Sequence, residues 1–200
     1  MKIKKYLNVV HAFFRLKIIS IFKRNFKIRT INSLKGKIYI ELRKKGNLNI
    51  GNMNKFNREV SLNSSGCMQI GSRCELKNNV DLQANGGSLT IHDGVFINSN
   101  TLIVACEKIE IGENTAIGNG VKMYDHDHIF LAEGNQPWNQ QTTEEIYIGR
   151  NCWIGANSII LKGTNIGDNC IIGAGCIIKG KIPSKSKVIQ KRETTISPIK

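Results

Sequence analysis

The sequence predicts an all-β solenoid of short parallel strands, and three observations carry that prediction. Isoleucine recurs every six residues, without a slip, across residues 148–183. Glycine follows four of those six isoleucines, and the same spacing returns upstream in triplets separated by short insertions. A helix of 3.6 residues per turn cannot keep this spacing on one face, because successive isoleucines would be rotated by about 240°.

The repeat defines the predicted core. Each hexapeptide supplies one flat side of a prism, three make a coil, and Gly or Asn occupies the corners, where a positive φ is tolerated. Each inward side chain stacks on its counterpart one coil away, and its burial stabilises the fold by about 1.5–3 kcal/mol. The pattern predicts about six coils within residues 46–183. The repeat positions are Ile50, Phe56, Leu62, Ile70, Leu76, Leu82, Ile91, Ile97, Ile103, Ile111, Ile117, Met123, Ile148, Ile154, Ile160, Ile166, Ile172 and Ile178.

The net charge of +14 is concentrated at the two ends of the chain. Residues 1–45 contain 14 Lys or Arg and one acidic residue, whereas residues 46–178 contain 8 basic and 13 acidic residues. A nucleic-acid reader usually carries its basic stripe on the folded face itself. We therefore expect no nucleic-acid partner, and we divide the chain into a basic arm (1–45), the β-helix domain (46–183) and a basic tail (184–200).

The basic arm combines two patterns. Residues 6–22 have apolar side chains at helical spacing, and residues 36–43 alternate like a strand. Charges at Arg15 and Lys17 interrupt the apolar run, so neither a signal peptide nor a membrane span is predicted. The amphipathic helix either caps the open end of the solenoid or binds the inner face of the cytoplasmic membrane through anionic lipids. Both alternatives place the protein in the cytoplasm.

The six cysteines show neither a CxxC pair nor the spacing of a zinc site. Four of them share one position in the repeat: Cys74, Cys152, Cys170 and Cys176. We predict that they remain thiols and pack as small buried apolar groups.

A polar insertion at 124–146 interrupts the repeat and is predicted to be a protruding loop. It begins with Asp125, His126, Asp127 and His128. A solenoid core has no use for more than twenty polar residues, so a loop of this length is a candidate functional site. The alternative is an ordinary solvated loop.

Across roughly residues 48–190, these hexapeptides resemble the left-handed parallel β-helix of the hexapeptide-repeat acyltransferases. The resemblance implies a left-handed coil, acetyl-CoA as co-substrate, no metal, and a homotrimer with active sites between subunits. Members that act on sugars carry a catalytic histidine where the loop begins. The approach GENTAIGNGVKMYDHDH assigns that role to His126. A neutral imidazole can take the proton of a sugar hydroxyl and return it to the departing thiolate.

The same resemblance implies further site residues. Asn98, in GVFINSNTLIV, is matched to acceptor binding, with a turn-stabilising role as the alternative. His128 is an acceptor contact or a plain loop residue, and either Asp125 or Asp127 orients the imidazole. The remaining residues are assigned to the coenzyme, from the Trp-Ile-Gly signature and the end of the repeat: Trp153, Ala156, Ala174, Lys179 and Lys181. Relatives commonly have Thr-Lys-Asp where this chain has Lys179-Gly180-Lys181, which leaves the individual phosphate contacts open.

The DHDH motif, the basic arm and the ending KVIQKRETTI look most like polysaccharide O-acetyltransferases of capsule or lipopolysaccharide assembly, rather than maltose or galactoside acetyltransferases. The alternatives are a sugar-nucleotide amine or a small-molecule hydroxyl as acceptor. A γ-type carbonic anhydrase would need His92, His126 and His128 on one metal, and the two-residue step between the last two does not match that family. A non-catalytic scaffold has no use for the histidine loop.

Overall fold

The computed structural model describes residues 25–28, 32–43, 45–191 and 193–198, and it confirms the parallel β-solenoid. The described residues form strands and turns, and no helix is found among them. In that part of the chain, nothing helical is long or apolar enough to cross a membrane. The predicted helix at 6–22, and with it the choice between cap and membrane contact, lies outside the described residues.

Within the described residues, twenty-five short strands build the solenoid and one hairpin. In chain order they are β1 (Phe26–Ile28), β2 (Ser33–Leu34), β3 (Ile38–Leu42), β4 (Asn47–Ile50), β5 (Lys55–Phe56), β6 (Val60–Ser64), β7 (Cys67–Ile70), β8 (Glu75–Leu76), β9 (Asp81–Ala84), β10 (Ser88–Ile91), β11 (Phe96–Ile97), β12 (Leu102–Ala105), β13 (Lys108–Ile111), β14 (Ala116–Ile117), β15 (Lys122–Tyr124), β16 (His126–His128), β17 (Gln141–Thr143), β18 (Ile146–Ile148), β19 (Trp153–Ile154), β20 (Ile159–Leu161), β21 (Asn165–Ile166), β22 (Ile171–Ile172), β23 (Ile177–Ile178), β24 (Lys181–Ile182) and β25 (Lys187–Val188).

Each turn of the chain contributes one strand to each of three parallel sheets. The first sheet runs β1-β4-β7-β10-β13-β18-β21-β24, the second runs β2-β5-β8-β11-β14-β19-β22-β25, and the third runs β3-β6-β9-β12-β15-β20-β23. The predicted repeat positions align from turn to turn; Ile50, for example, pairs with Ile70, and Ile70 with Ile91. Their side chains are at most 3% exposed and form the continuous core. The predicted core is therefore confirmed.

The solenoid is longer than the sequence analysis predicted. The described residues form seven complete turns and two sides of an eighth, instead of about six. Strands β1, β2 and β3 lie inside the predicted arm and pair with β4, β5 and β6. At the other end, β24 stops just before the predicted boundary at 183, and β25 lies beyond it. The first turn does keep the six-residue spacing, at Ile28, Leu34 and Ile40. The basic composition of this segment concealed it.

The two corner residue types have different roles. Gly and Asn were predicted at the corners because they tolerate a positive φ. This reason is wrong for Gly155, whose φ is not positive and where an added Cβ would lie 2.5 Å from the backbone N of Ala174. Glycine is required there because neighbouring turns approach too closely for a side chain. Positive φ occurs further into the turn, for example at Asn157 (57°). Asn tolerates this conformation better than most residues.

The cysteines are free thiols, as predicted. Cys74, Cys152, Cys170 and Cys176 are buried, which confirms their packing role. Burial raises the pKa of Cys74 to about 11, so this thiol stays protonated at neutral pH.

Strand β22 offers a matched test of the core. Ile172 is 1% exposed and points inward, whereas its neighbour Ile171 is 39% exposed and points outward. We expect Ile172→Ala to lower the free energy of unfolding by about 2–4 kcal/mol, because it leaves a cavity between two turns. Ile171→Ala should cost less than about 1 kcal/mol. Chemical denaturation of both variants tests this, and equal losses would contradict the assignment of the inward face.

Candidate active site

The predicted loop leaves the solenoid at the corner between β15 of the third sheet and β18 of the first sheet. We call the line of these corners, one in each turn, the third-to-first edge. The two ends of the loop form an antiparallel hairpin, in which His126 pairs with Thr143 and His128 pairs with Gln141. The solenoid continues in register across the insertion, since β13 pairs with β18 and β15 with β20. The hairpin therefore presents His126 at the base of the loop.

Asp125 is the buried anchor of this corner. Its side chain is fully buried, and its two carboxylate oxygens accept hydrogen bonds from the backbone N–H groups of Cys106 and Glu107, each at 2.8 Å. Both donors belong to the same corner of the preceding turn. Charge-assisted bonds of this kind compensate the loss of hydration of a buried carboxylate.

His126 packs against this anchor. Its Nδ1 lies 3.4 Å from Oδ1 of Asp125, and its side chain is 14% exposed. The rings of Tyr124 and His128 meet it edge-on, with centroids 6.0 Å and 6.1 Å away. Because Nδ1 faces the carboxylate, Nε2 is the nitrogen available for proton exchange. Of the two acids left open by the sequence, Asp125 is the neighbour of the imidazole.

Asp127 serves a different partner, which the sequence analysis missed. Its Oδ2 lies 3.1 Å from Nζ of Lys162, a side chain only 10% exposed that also donates to the hydroxyl of Thr142. Lys162 thus connects the turn after β20 to both strands of the hairpin. Lys162 follows Leu161, which pairs with Tyr124, so alignment of the turns places Lys162 beside the start of the hairpin. That pairing is visible in the structure but not in the sequence.

Cys106 was also missed as a neighbour of the site. Its Sγ, a carboxylate oxygen of Asp125 and a ring nitrogen of His126 lie within 4.8 Å of one another. Burial raises the pKa of the Cys106 thiol, and the negative charge of Asp125 adds to the effect. Cys106 lies twenty residues before His126, so only the stacking of turns brings them together.

The other predicted residues lie elsewhere on the solenoid. Trp153 is 58% exposed on the outer face of the second sheet, between Ala116 and Ile171 of the adjacent turns. Three residues occupy the corner between the second and third sheets: Asn98, Ala156 and Ala174. Asn98 accepts a hydrogen bond from the backbone N–H of Ser99 at 2.8 Å. Within one chain, the width of the third sheet separates this corner from His126.

Lys179 and Lys181 do share the third-to-first edge with His126. Lys179 follows β23 and Lys181 opens β24, and both are exposed. His92, in contrast, follows β10 at the corner between the first and second sheets, and its Nε2 lies 2.8 Å from Oε1 of Glu110. The three histidines of the carbonic anhydrase alternative therefore do not converge within the chain.

Comparison with known sequences agrees with this architecture. A family model described as the hexapeptide repeat of succinyl-transferase matches residues 145–179. The nodulation protein L of Rhizobium meliloti is 36% identical over 104 residues, 52% of this chain and 56% of that protein. The putative lipopolysaccharide biosynthesis O-acetyl transferase WbbJ of Escherichia coli K12 is 28% identical over 110 residues, 51% and 56% of the two chains. The galactoside O-acetyltransferase of Lactococcus lactis is 30% identical over 117 residues, 58% and 55%.

Two solved structures share the fold. AntD, an N-acyltransferase from Bacillus cereus determined with dTDP-4-amino-4,6-dideoxyglucose and coenzyme A, aligns with a TM-score of 0.56 at 18% identity, covering 85% of this chain and 82% of that one. The polySia-specific acetyltransferase NeuO aligns with a TM-score of 0.53 at 20% identity, covering 82% of each chain. The chain is therefore similar, over part of its length, to hexapeptide-repeat proteins that include acetyltransferases. It spans 55–56% of the length of the curated relatives described above.

The role of Lys162 in holding the hairpin can be tested with a matched pair of variants. Lys162→Met keeps most of the side-chain length but removes the charge that holds Asp127. We expect hydrogen exchange at the amides of 126–128 and 141–143 to accelerate by about tenfold or more, because local opening becomes easier. The control is Lys108→Met, since Lys108 is 42% exposed and pairs with Glu145 at 3.4 Å. Equal exchange in the two variants would remove Lys162 from this role.

Proposed function

We propose that this protein is an acetyl-CoA-dependent O-acetyltransferase that acetylates a sugar hydroxyl of a bacterial cell-surface polysaccharide (capsule or O-antigen) or of its precursor. The observation that carries the proposal is the pairing of His126 with the buried carboxylate of Asp125 at the base of the long insertion. The curated relatives named as O-acetyltransferases support acetyl as the transferred group.

His126 acts as the general base in this proposal. Its Nε2 takes the proton of the acceptor hydroxyl while the oxygen attacks the thioester carbonyl. The tetrahedral intermediate then collapses, the coenzyme thiolate leaves, and the imidazolium returns the proton to it. Asp125 holds the ring orientation and stabilises the imidazolium, while the ion pair of Asp127 with Lys162 positions the strand that carries the ring.

A polar cleft supports an acceptor longer than one sugar. It has a volume of about 500 Å³ and lies along the third-to-first edge in the turns before the site; its lining is Glu41, Arg43, Asn63, Ser64, Ser65, Gln83, Asn85 and Gly86. Amides and hydroxyls both donate and accept, which suits sugar hydroxyls. Gln83 pairs with Val104, and Val104 pairs with Tyr124. The cleft therefore begins two turns, roughly 10 Å, from the residues beside His126.

The coenzyme site needs residues from two places. Lys179 and Lys181 offer cations for its phosphate groups on the same edge as His126. Trp153, Ala156 and Ala174 offer an apolar wall and backbone groups for the pantetheine arm, but they lie on the second sheet and its far corner. In a homotrimer, the second sheet of one subunit faces the His126 edge of its neighbour, which completes the site.

Replacement of the proposed base tests the reaction. We expect His126→Ala to lower turnover about 10²–10⁴-fold without loss of folding, since this is the usual contribution of a general base. The control, His128→Ala, should lose less than about tenfold, because the His128 ring is exposed, whereas the His126 ring lies against the buried carboxylate of Asp125. The measurement is acetyl transfer from acetyl-CoA to a panel of bacterial oligosaccharides, followed by mass spectrometry. An inactive His128→Ala beside a nearly normal His126→Ala would identify the other histidine as the base, and acylation of amines alone would refute the O-acetyl assignment.

Mixed trimers test whether the site lies between subunits. His126→Ala and Trp153→Ala chains are refolded together in equal amounts and assayed at low acetyl-CoA concentration. When one chain supplies His126 and its neighbour supplies Trp153, about a quarter of the sites regain both residues, and activity exceeds the average of the two pure variants. When both residues act within one chain, the mixture gives only the average of the two variants. An active monomer in light scattering would also refute the shared site.

A further inference from the structure

We propose that Cys106, Asp125 and His126 form a binding site for a soft divalent cation such as Zn²⁺, and that the bound ion switches off the base. Among the residues that the structure describes, this is the one group of three metal-ligating side chains with all ligand atoms within 4.8 Å of one another. The inhibitory half of the proposal rests on the proposed function of His126. The binding half stands on the geometry alone.

The spacing of the ligand atoms fits a zinc ion. Nδ1 of His126 and Oδ1 of Asp125 are 3.4 Å apart. This distance is longer than that of a charge-assisted hydrogen bond, which is about 2.7–2.9 Å. Two ligand atoms at about 2.0–2.1 Å from one tetrahedral zinc are separated by about 3.4 Å. The sulfur of Cys106 completes three protein ligands and leaves a fourth position for water. Small movements within the 4.8 Å cluster bring the sulfur to bonding distance.

The chemistry of the three groups favours a soft cation. A thiolate and an imidazole select zinc or cadmium over magnesium or calcium, and the carboxylate brings the charge of the occupied site to neutral. As the ion binds, the Cys106 thiol releases its proton to water. The Asp125 carboxylate is already held by the backbone N–H groups of Cys106 and Glu107, the kind of support that orients metal ligands.

A metal at this position would stop proton transfer. A neutral imidazole carries one proton, and coordination of Nδ1 places that proton on Nε2. Nε2 is the nitrogen that must accept the proton of the acceptor hydroxyl. The occupied site therefore holds His126 in the form that cannot act as a base, without any movement of the solenoid.

The first experiment measures binding directly in the metal-free, full-length protein. Zn²⁺ is titrated in competition with a chromophoric chelator, and Cd²⁺ is titrated while its thiolate charge-transfer absorption is recorded. We expect one ion per chain, and at least about tenfold weaker binding in Cys106→Ser. Cys67→Ser is the matched control, because Cys67 is the other half-buried cysteine and lies outside the cluster. No binding, absence of the thiolate band, or equal affinity in Cys106→Ser would overturn the site.

The second experiment measures inhibition, with each variant compared to its own activity in a chelator. We expect Zn²⁺ to suppress acetyl transfer in the wild-type protein and in Cys67→Ser, and a chelator to restore the activity. Inhibition of Cys106→Ser should require a Zn²⁺ concentration at least about tenfold higher. Full activity at saturating Zn²⁺ would overturn the inhibitory role. A protein with no transferase activity under any condition would instead refute the proposed function, and the binding titration would still decide the metal site.

Discussion

The structure depends on the stacking of one inward side chain on its counterpart in the next turn. Parallel pairing at a constant register brings Ile111 over Ile148 and Ile117 over Ile154, and the same alignment runs through all three sheets. This stacking determines which residues face solvent, because side chains alternate along each short strand. It also determines which residues meet at the corners, where Cys106, Asp125 and Lys162 surround His126. A shift of one residue would turn the core outward and would separate Asp125 from its two backbone donors.

The six-residue period was sufficient to predict the core, because each repeat position has the same environment in every turn. It was insufficient for the length of the solenoid, since composition at residues 26–42 masked a period that is present there. The role of glycine was also misjudged. Close approach between turns, rather than backbone conformation, excludes a side chain at Gly149 and Gly155, where an added Cβ would lie 2.5–2.6 Å from backbone atoms of the next turn.

The candidate site shows where prediction from sequence ended. His126 was assigned from the break in the repeat and the family resemblance, and Asp125 was one of two neighbouring acids that the sequence left open. Cys106 and Lys162 were not found, because they approach from the turns before and after, and a single sequence does not show which residues stack at an edge. The column of Lys162 is instructive: Ala84 and Ala105 pair in the earlier turns, and Asp125 and Lys162 are the next positions in the same register. Small side chains give way to charged ones where the hairpin leaves.

The hairpin joins the solenoid without disturbing it. The strands on either side of residues 125–145 keep the register of the solenoid, since β15 pairs with β20 and β18 pairs with β13, as though the chain had passed directly from Tyr124 to Ile146. The inserted loop and the coil that carries it are therefore nearly independent building blocks. A lineage can lengthen, shorten or replace the insertion while the stacked turns beneath it keep their register and their stability. Variation at this one excursion of the chain is therefore separated from the constraint that holds the core constant.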